Sequence, residues 1–198
     1  MDTHITISDQ AQHYLFLQRG NIAHLAGSKW KKAYNHYLNE TLDQITSCVY
    51  KCETVMDIGS GIGGIDVLVA RYFGARVVMI DGEDDASLVV RQDQTFCSRK
   101  AVDKFMADNK VENYLYMSPG SLLPVKSDLI MSFGSWCFHY PPKWYLDYVL
   151  SCCKTNTRLL IDLRKDRPEW LEDLRSAFRL RRVVGEYNKI SRTLFVVK

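Results

Sequence analysis

Four of the eleven glycines in this 198-residue chain fall within six positions, Gly59 to Gly64, directly after the apolar run Thr54–Ile58. Few local patterns constrain a fold more tightly. Glycine lets the backbone turn sharply and lets a ligand approach without interference from a Cβ atom. The pattern predicts a strand that enters a glycine-rich turn and leaves it as a helix. Gly59, Gly61 and Gly64 also satisfy the spacing GxGxxG, and Asp81 follows the next apolar run, 22 residues beyond Gly59. In a doubly wound sheet an acid at that distance binds ribose hydroxyls. A nucleoside-containing ligand above the glycines is therefore the first expectation.

From residue 54 onward, short apolar runs alternate with helical stretches. The runs are Thr54–Ile58, Arg76–Ile80, Tyr114–Met117, Asp128–Phe133, Arg158–Leu163 and Leu194–Val197, with a weaker one at Arg182–Gly185. Helices are predicted over Gly63–Phe73, Ser98–Asn109, Lys143–Cys153 and Pro168–Phe178. Continuous apolar runs read as parallel strands covered on both faces. Their alternation with helices predicts an open α/β sheet. Only the turn-like Tyr187–Arg192 parts the last two runs, which predicts a terminal antiparallel hairpin.

Residues 1–53 read as helical instead. Ser8 caps a segment that ends at Gly20, and a second segment starts near Ser28 with Trp30, Tyr34, Tyr37, Leu38, Leu42 and Ile45 at helical spacing. The predicted organisation is an N-terminal helical cap, residues 1–53, on a ligand-binding domain, residues 54–198. The stretch Gly82–Cys97 is long for a strand-to-helix connection. Together with the N-terminal helices it is placed to form a lid. Trp30 and Tyr34 then have two readings: a pocket wall under that lid, or ordinary core, as an aromatic stripe at helical spacing usually is.

Asp57 discriminates between ligands. A carboxylate just inside the glycine turn repels a pyrophosphate resting on the helix N-terminus. It suits a cation, and S-adenosylmethionine (SAM) carries an ammonium and a sulfonium with no phosphate. A dinucleotide such as NAD remains the competing reading of the glycines. Here the sequence resembles the class I SAM-dependent methyltransferases. Asp57-x-Gly59-x-Gly61-x-Gly63 matches the first motif of that family, and Asp81 matches its ribose-binding acid. The resemblance covers about residues 50–198. It implies a Rossmann-like three-layer αβα sandwich whose seven-stranded, mostly parallel sheet ends in an antiparallel hairpin. It also implies a cofactor set of Asp57, Gly59, Ser60, Gly61, Gly63, Asp81, Gly82, Ser118 and Phe133.

One departure concerns adenine. Family members often carry an acid after the third strand, where this chain has Met117-Ser118-Pro119-Gly120-Ser121-Leu122. Backbone groups, Ser118 or Ser121 are left to meet the base. The loop after the fourth strand, Gly134-Ser135-Trp136-Cys137-Phe138-His139-Tyr140-Pro141-Pro142, resembles that of small-molecule methyltransferases. It places Trp136 toward the acceptor and offers His139 as a general base, with a pKa near working pH. The competing reading of His139 is a residue that shapes its loop. Several patterns are missing. The acid- or Asn-Pro-Pro-aromatic signature of amino-methylating DNA enzymes, the Pro-Cys nucleophile of cytosine-C5 enzymes and the Lys–Asp–Lys–Glu set of RNA ribose methyltransferases do not occur at this strand end.

Composition narrows the class further. The hydrophobic fraction of 46% and charged fraction of 25% exclude a disordered or fibrous chain. No apolar run is long enough for a membrane span, and the N-terminal residues lack the blocks of a signal peptide. A cytoplasmic location without membrane association is expected. The six cysteines have no spacing that completes a zinc site, so no metal is expected. The net charge is only +3, yet residues 158–198 hold eleven Lys/Arg against six Asp/Glu. That local excess keeps nucleic acid as an alternative partner to a small-molecule acceptor such as a sugar or nucleotide derivative. The other alternative is a non-catalytic SAM-binding subunit. Oligomeric state has no signature in the sequence.

Overall fold

The structure is a computed structural model that describes residues 3–18, 23–82 and 96–198. It is built on one seven-stranded sheet. In chain order the elements are α1 (Asp9–Gln18), α2 (Lys29–Cys48), β1 (Thr54–Ile58), α3 (Gly64–Phe73), β2 (Arg76–Ile80), α4 (Arg99–Asp108) and β3 (Tyr114–Met117). There follow β4 (Ser127–Ser132), a 3₁₀ turn (Pro142–Trp144), α5 (Leu146–Cys152), β5 (Cys153–Arg164), α6 (Pro168–Ala177), β6 (Phe178–Tyr187) and β7 (Ile190–Val197).

The sheet order is β3-β2-β1-β4-β5-β7-β6. Pairing is parallel from β3 through β5, while β7 runs antiparallel to both β5 and β6. The chain builds outward from β1 through β2 to β3, then returns to lay β4 on the other side of β1. That reversal opens a crevice beyond the carboxyl ends of β1 and β4, where ligands bind in open α/β sheets.

Side chains of a strand alternate between the two faces, and the core divides accordingly. Val55, Val77, Met79, Leu129, Met131 and Leu160 face α3 and α4. Met56, Ile58, Val78, Ile80, Ile130 and Ile161 face α5 and α6. The same alternation puts Asp57 on the α3 side. Both layers of helices bury their apolar stripes, giving the three-layer sandwich. Among the described residues no helix is long and apolar enough to cross a membrane.

Where the structure departs from the sequence reading, the reason is exposure or proline. β6 was expected as four weak residues, but it spans ten. It is an edge strand with mostly exposed side chains, so it lacks the apolar run that betrays a covered strand. Cys153 and Ile190 begin their strands several residues earlier than predicted. The helix expected over Lys143–Cys153 is split, because Pro141 and Pro142 start a 3₁₀ turn and α5 begins only at Leu146.

The expected division at residue 53 also changes meaning. Trp30, Tyr34, Leu38, Leu42 and Ile45 on α2 are buried in the same cluster as strand residues Val55 and Val77. The N-terminal helices therefore complete one face of the sandwich rather than sitting over its end. Trp30 is edge-on to Phe16, with ring centres 5.1 Å apart. Tyr34 brings its hydroxyl so close to Gly64 that a Cβ there would lie 1.9 Å away. These two aromatics are core, not pocket wall. The lid expected from Gly82–Cys97 falls largely on residues 83–95, outside the described residues, as does Gly20.

Candidate functional site

The glycine loop takes its shape from three left-handed residues: Gly59 at φ +81, Gly61 at +57 and Gly63 at +91. L side chains rarely adopt this region. Gly59 is also constrained by contact, since a Cβ on it would lie 2.0 Å from Ser135 Oγ. The Gly59 N–H donates to the Ile80 carbonyl at 2.7 Å, tying the loop to the end of β2. Gly63 then caps α3.

Asp81, the residue after β2, turns its carboxylate onto this loop. Oδ2 accepts the Gly61 N–H at 2.5 Å, and Oδ1 accepts its neighbour's, from Gly82, at 2.7 Å. Burial pushes the Asp81 carboxyl up to about 6, although both N–H bonds pull the other way. Tyr116 Oη donates to the Gly82 carbonyl at 3.0 Å. Beneath the loop, the first turn of α3 carries Asp66, fully buried beside Asp57. Burial raises its carboxyl to about 7, partly offset by a hydrogen bond with the Asp57 side chain, while the Asp81 charge adds to the rise. Three acids thus converge on one loop. Among the described residues no lysine or arginine forms an ion pair with Asp66 or Asp81.

The other wall is the segment after β4. Ser132 Oγ donates to the Ile58 carbonyl at 2.7 Å and accepts the Trp136 N–H at 2.9 Å, so the ends of β1 and β4 are locked together. A tight turn follows, with the Cys137 N–H donating to the Tyr140 carbonyl at 2.8 Å and Cys137 itself at φ +65. Between the two walls lies a cavity of about 380 Å³. It is lined by Ile58, Gly59, Ile80, Asp81, Gly82, Phe96, Pro119, Leu122, Ser135, Tyr140, Trp144 and Tyr145. This volume is in the range of small-molecule sites.

Of the residues the sequence singled out, Gly59, Asp81 and Gly82 line the cavity; Ser60, Gly61 and Gly63 belong to the same loop as Gly59, and Asp57 lies next to it in β1, outside the lining. The others lie elsewhere. Ser118 is outside the lining and within hydrogen-bonding distance of Ser121 Oγ at 3.1 Å, while its neighbours Pro119 and Leu122 face inward. Phe133 packs under the Arg192 guanidinium, 4.0 Å from its ring centre. Trp136 is fully buried and donates its indole N–H to the Pro142 carbonyl at 3.0 Å. It shapes the turn and lies outside the cavity lining. His139 is exposed, outside the lining, and its backbone N–H closes the turn onto the Ser135 carbonyl at 2.7 Å. The loop-shaping reading of His139 accounts for this position.

Sequence reasoning missed Phe96, Ser135, Tyr140, Trp144 and Tyr145. For Ser135, Tyr140, Trp144 and Tyr145 the one sequence signal is a run of aromatics around two prolines immediately beyond a strand end, while Phe96 lies at the end of the long Gly82–Cys97 stretch. Binding residues concentrate in such loops.

The site's chemistry can be tested against the ligand inferred from its motifs. A cavity lined by Gly59, Gly82 and the acid Asp81, and by no lysine or arginine among the described residues, favours a cationic, phosphate-free ligand. Apolar Ile80, Phe96, Pro119 and Leu122 beside Asp81 suit a base adjoining a ribose diol.

No protein-family model matches the chain, and no curated protein matches it. Solved structures do. The PH0226 protein from Pyrococcus horikoshii OT3 aligns with a TM-score of 0.64 at 14% identity, covering 83% of this chain and 91% of its own. A variant of MtNAS in complex with S-adenosylmethionine aligns at 0.60 and 16% identity, over 95% of this chain and 74% of that one. A TehB-like SAM-dependent methyltransferase from Corynebacterium glutamicum aligns at 0.57 and 14% identity, over 79% and 86%.

Proposed function

We propose that this chain, which has the fold of the class I SAM-dependent methyltransferases, binds SAM in the cavity above its glycine loop and methylates a small-molecule acceptor. The observation that carries the reading is the pairing of Asp81 with the glycine loop at the mouth of β1 and β2. A carboxylate offers more lone pairs than its two N–H partners use, so Asp81 can also accept from ribose hydroxyls. The ammonium of the ligand's amino-acid end gains from the acids gathered at the loop, Asp81 foremost. Phe96, Pro119 and Leu122 provide an apolar slot for adenine in place of the missing acid.

When bound, SAM supplies a sulfonium methyl: an acceptor oxygen or nitrogen forms the new bond to carbon, the S–C pair returns to sulfur, and the acceptor proton passes to water. The chain's part is alignment at near-attack distance and partial exclusion of solvent. His139 is not required for that, given its position outside the lining.

The small-molecule reading is favoured over nucleic acid because the basic C-terminal segment is largely spent on internal contacts. Five of its cations pair with acids: Arg164, Lys165, Arg167, Arg175 and Arg192. Arg158 and Arg182 donate to carbonyls at the end of α2. We place the enzyme in the cytoplasm, a setting that suits six cysteines among which no disulfide forms.

Calorimetry with SAM tests the proposal. Wild type is expected to bind, and Asp81→Ala to bind at least tenfold more weakly. Equal affinities would remove the ribose role, and a wild type that binds NAD but not SAM would overturn the assignment.

A further inference from the structure

The acceptor wall of the cavity has a chemistry of its own. Trp144 lines the cavity yet is 62% exposed, the opposite of what a large apolar ring does in a core. It stands on the short 3₁₀ turn begun by Pro141 and Pro142, so the backbone carrying it is stiff. Tyr140 stacks against it, with ring centres 5.1 Å apart and planes 26° from parallel. One indole face is thereby covered while most of Trp144 stays exposed, which makes a one-sided shelf rather than a slot. Around the shelf three hydroxyl-bearing residues, Ser135, Tyr140 and Tyr145, line the same cavity. Burial and the nearby Asp81 charge push the Tyr145 phenol up to about 12, so it remains a donor at neutral pH. No lysine or arginine among the described residues lines the cavity.

We infer that the acceptor is an uncharged sugar ring, laid by its C–H face on Trp144 with its hydroxyls directed at Ser135, Tyr140 and Tyr145. A pyranose is amphipathic in just this sense: one face presents polarised C–H groups to the negative face of an aromatic ring, while its rim carries hydroxyls. A planar aromatic acceptor gains most from contact on both faces, and here Tyr140 already occupies one. A phosphorylated acceptor meets Asp81 and, among the described residues, no cation in the lining, which costs it binding energy. The reaction is then O-methylation. The sugar oxygen bonds to the methyl carbon, the S–C bond breaks with its pair going to sulfur, and the hydroxyl proton goes to water. The inference rests on the cofactor reading proposed above.

The test uses the full chain saturated with S-adenosylhomocysteine, whose binding is first measured by calorimetry. Tryptophan fluorescence is then followed during titration with methyl glycosides of hexoses and 6-deoxyhexoses, with catechol, and with uridine monophosphate. The difference between wild type and Trp144→Phe isolates the shelf from the other three tryptophans. A saturable change with at least one glycoside is expected, with none from catechol or uridine monophosphate. Trp144→Ala, followed by calorimetry because its reporter indole is gone, is expected to weaken glycoside binding at least tenfold and to leave the S-adenosylhomocysteine affinity within twofold. If S-adenosylhomocysteine fails to bind wild type, the cofactor reading falls and this inference with it. If it binds but no glycoside responds, or catechol or the nucleotide responds in their place, only the acceptor inference is overturned. A glycoside affinity unchanged in Trp144→Ala by calorimetry overturns it as well.

Discussion

Two groups of buried carboxylates divide this molecule. Asp162 on β5 is met by Arg192 on β7: Nε and one terminal nitrogen reach its two oxygens at 2.7 and 3.0 Å. The other terminal nitrogen of Arg192 reaches Thr41 and Gln44 on α2 at 3.2 and 2.9 Å. Both members of the pair are almost fully buried. At the glycine loop Asp66 and Asp81 are buried as well, but their carboxyls are pushed up to about 7 and about 6. In the first region charge is compensated within the chain and holds α2 on the sheet. In the second it is left uncompensated by cations among the described residues, a cost to stability that the proposed cationic ligand would offset. The contrast separates a structural use of burial from a functional one.

The largest effect is expected from breaking the compensated pair. Arg192→Ala leaves Asp162 buried beside no cation and should cost about 3–5 kcal/mol in urea unfolding. A loss under about 1 kcal/mol would show that solvent reaches the pair. Next comes the pH dependence of SAM binding. Ribose hydroxyls and the sulfonium favour the ionised form of Asp81, so affinity should fall as pH drops through about 6. With that value, about one Asp81 in eleven is ionised at pH 5, giving roughly tenfold weaker binding there than at pH 7.5. Asp81→Asn should bind weakly at both.

Asp66 offers a smaller test, on stability. Its folded value lies above the ordinary 3.8, so the folded state holds the proton more tightly than the unfolded one. The stability it contributes is therefore full below about pH 4 and lost as pH rises through about 7. Asp66→Asn should flatten that loss and raise the melting temperature of the ligand-free protein at pH 8 by about 3 °C. An unchanged pH profile would assign the dependence to another group. The smallest effect belongs to His139→Ala, expected to keep turnover within about threefold of wild type. A loss of a hundredfold would restore the general-base role that the exposed position argues against.

Legibility in the sequence followed the physics of burial. β1, β2 and β3 carry the bounds the apolar runs predicted, because parallel strands covered on both faces must be apolar throughout. β6 was hardly visible, since an exposed edge has no such requirement. The glycine loop and Asp81 were legible because left-handed backbone and a carboxylate at a strand end leave residue-type signatures. Trp30, Tyr34, Trp136 and Trp144 were not separable, since nothing in an aromatic's identity says which side of a packed layer it meets. The first three are buried and only Trp144 faces the cavity.

The sequence by itself determined the alternation of layers, the glycine turn and the acids around it. These depend on local backbone preference and on the periodicity of apolar side chains. Only the tertiary structure decided which acid is paired and which is not, that the N-terminal helices are core, and that Trp144 rather than Trp136 meets the cavity. Those outcomes depend on neighbours distant in the chain, such as Arg192 for Asp162 and Ser135 for Gly59, and local propensity carries no information about them.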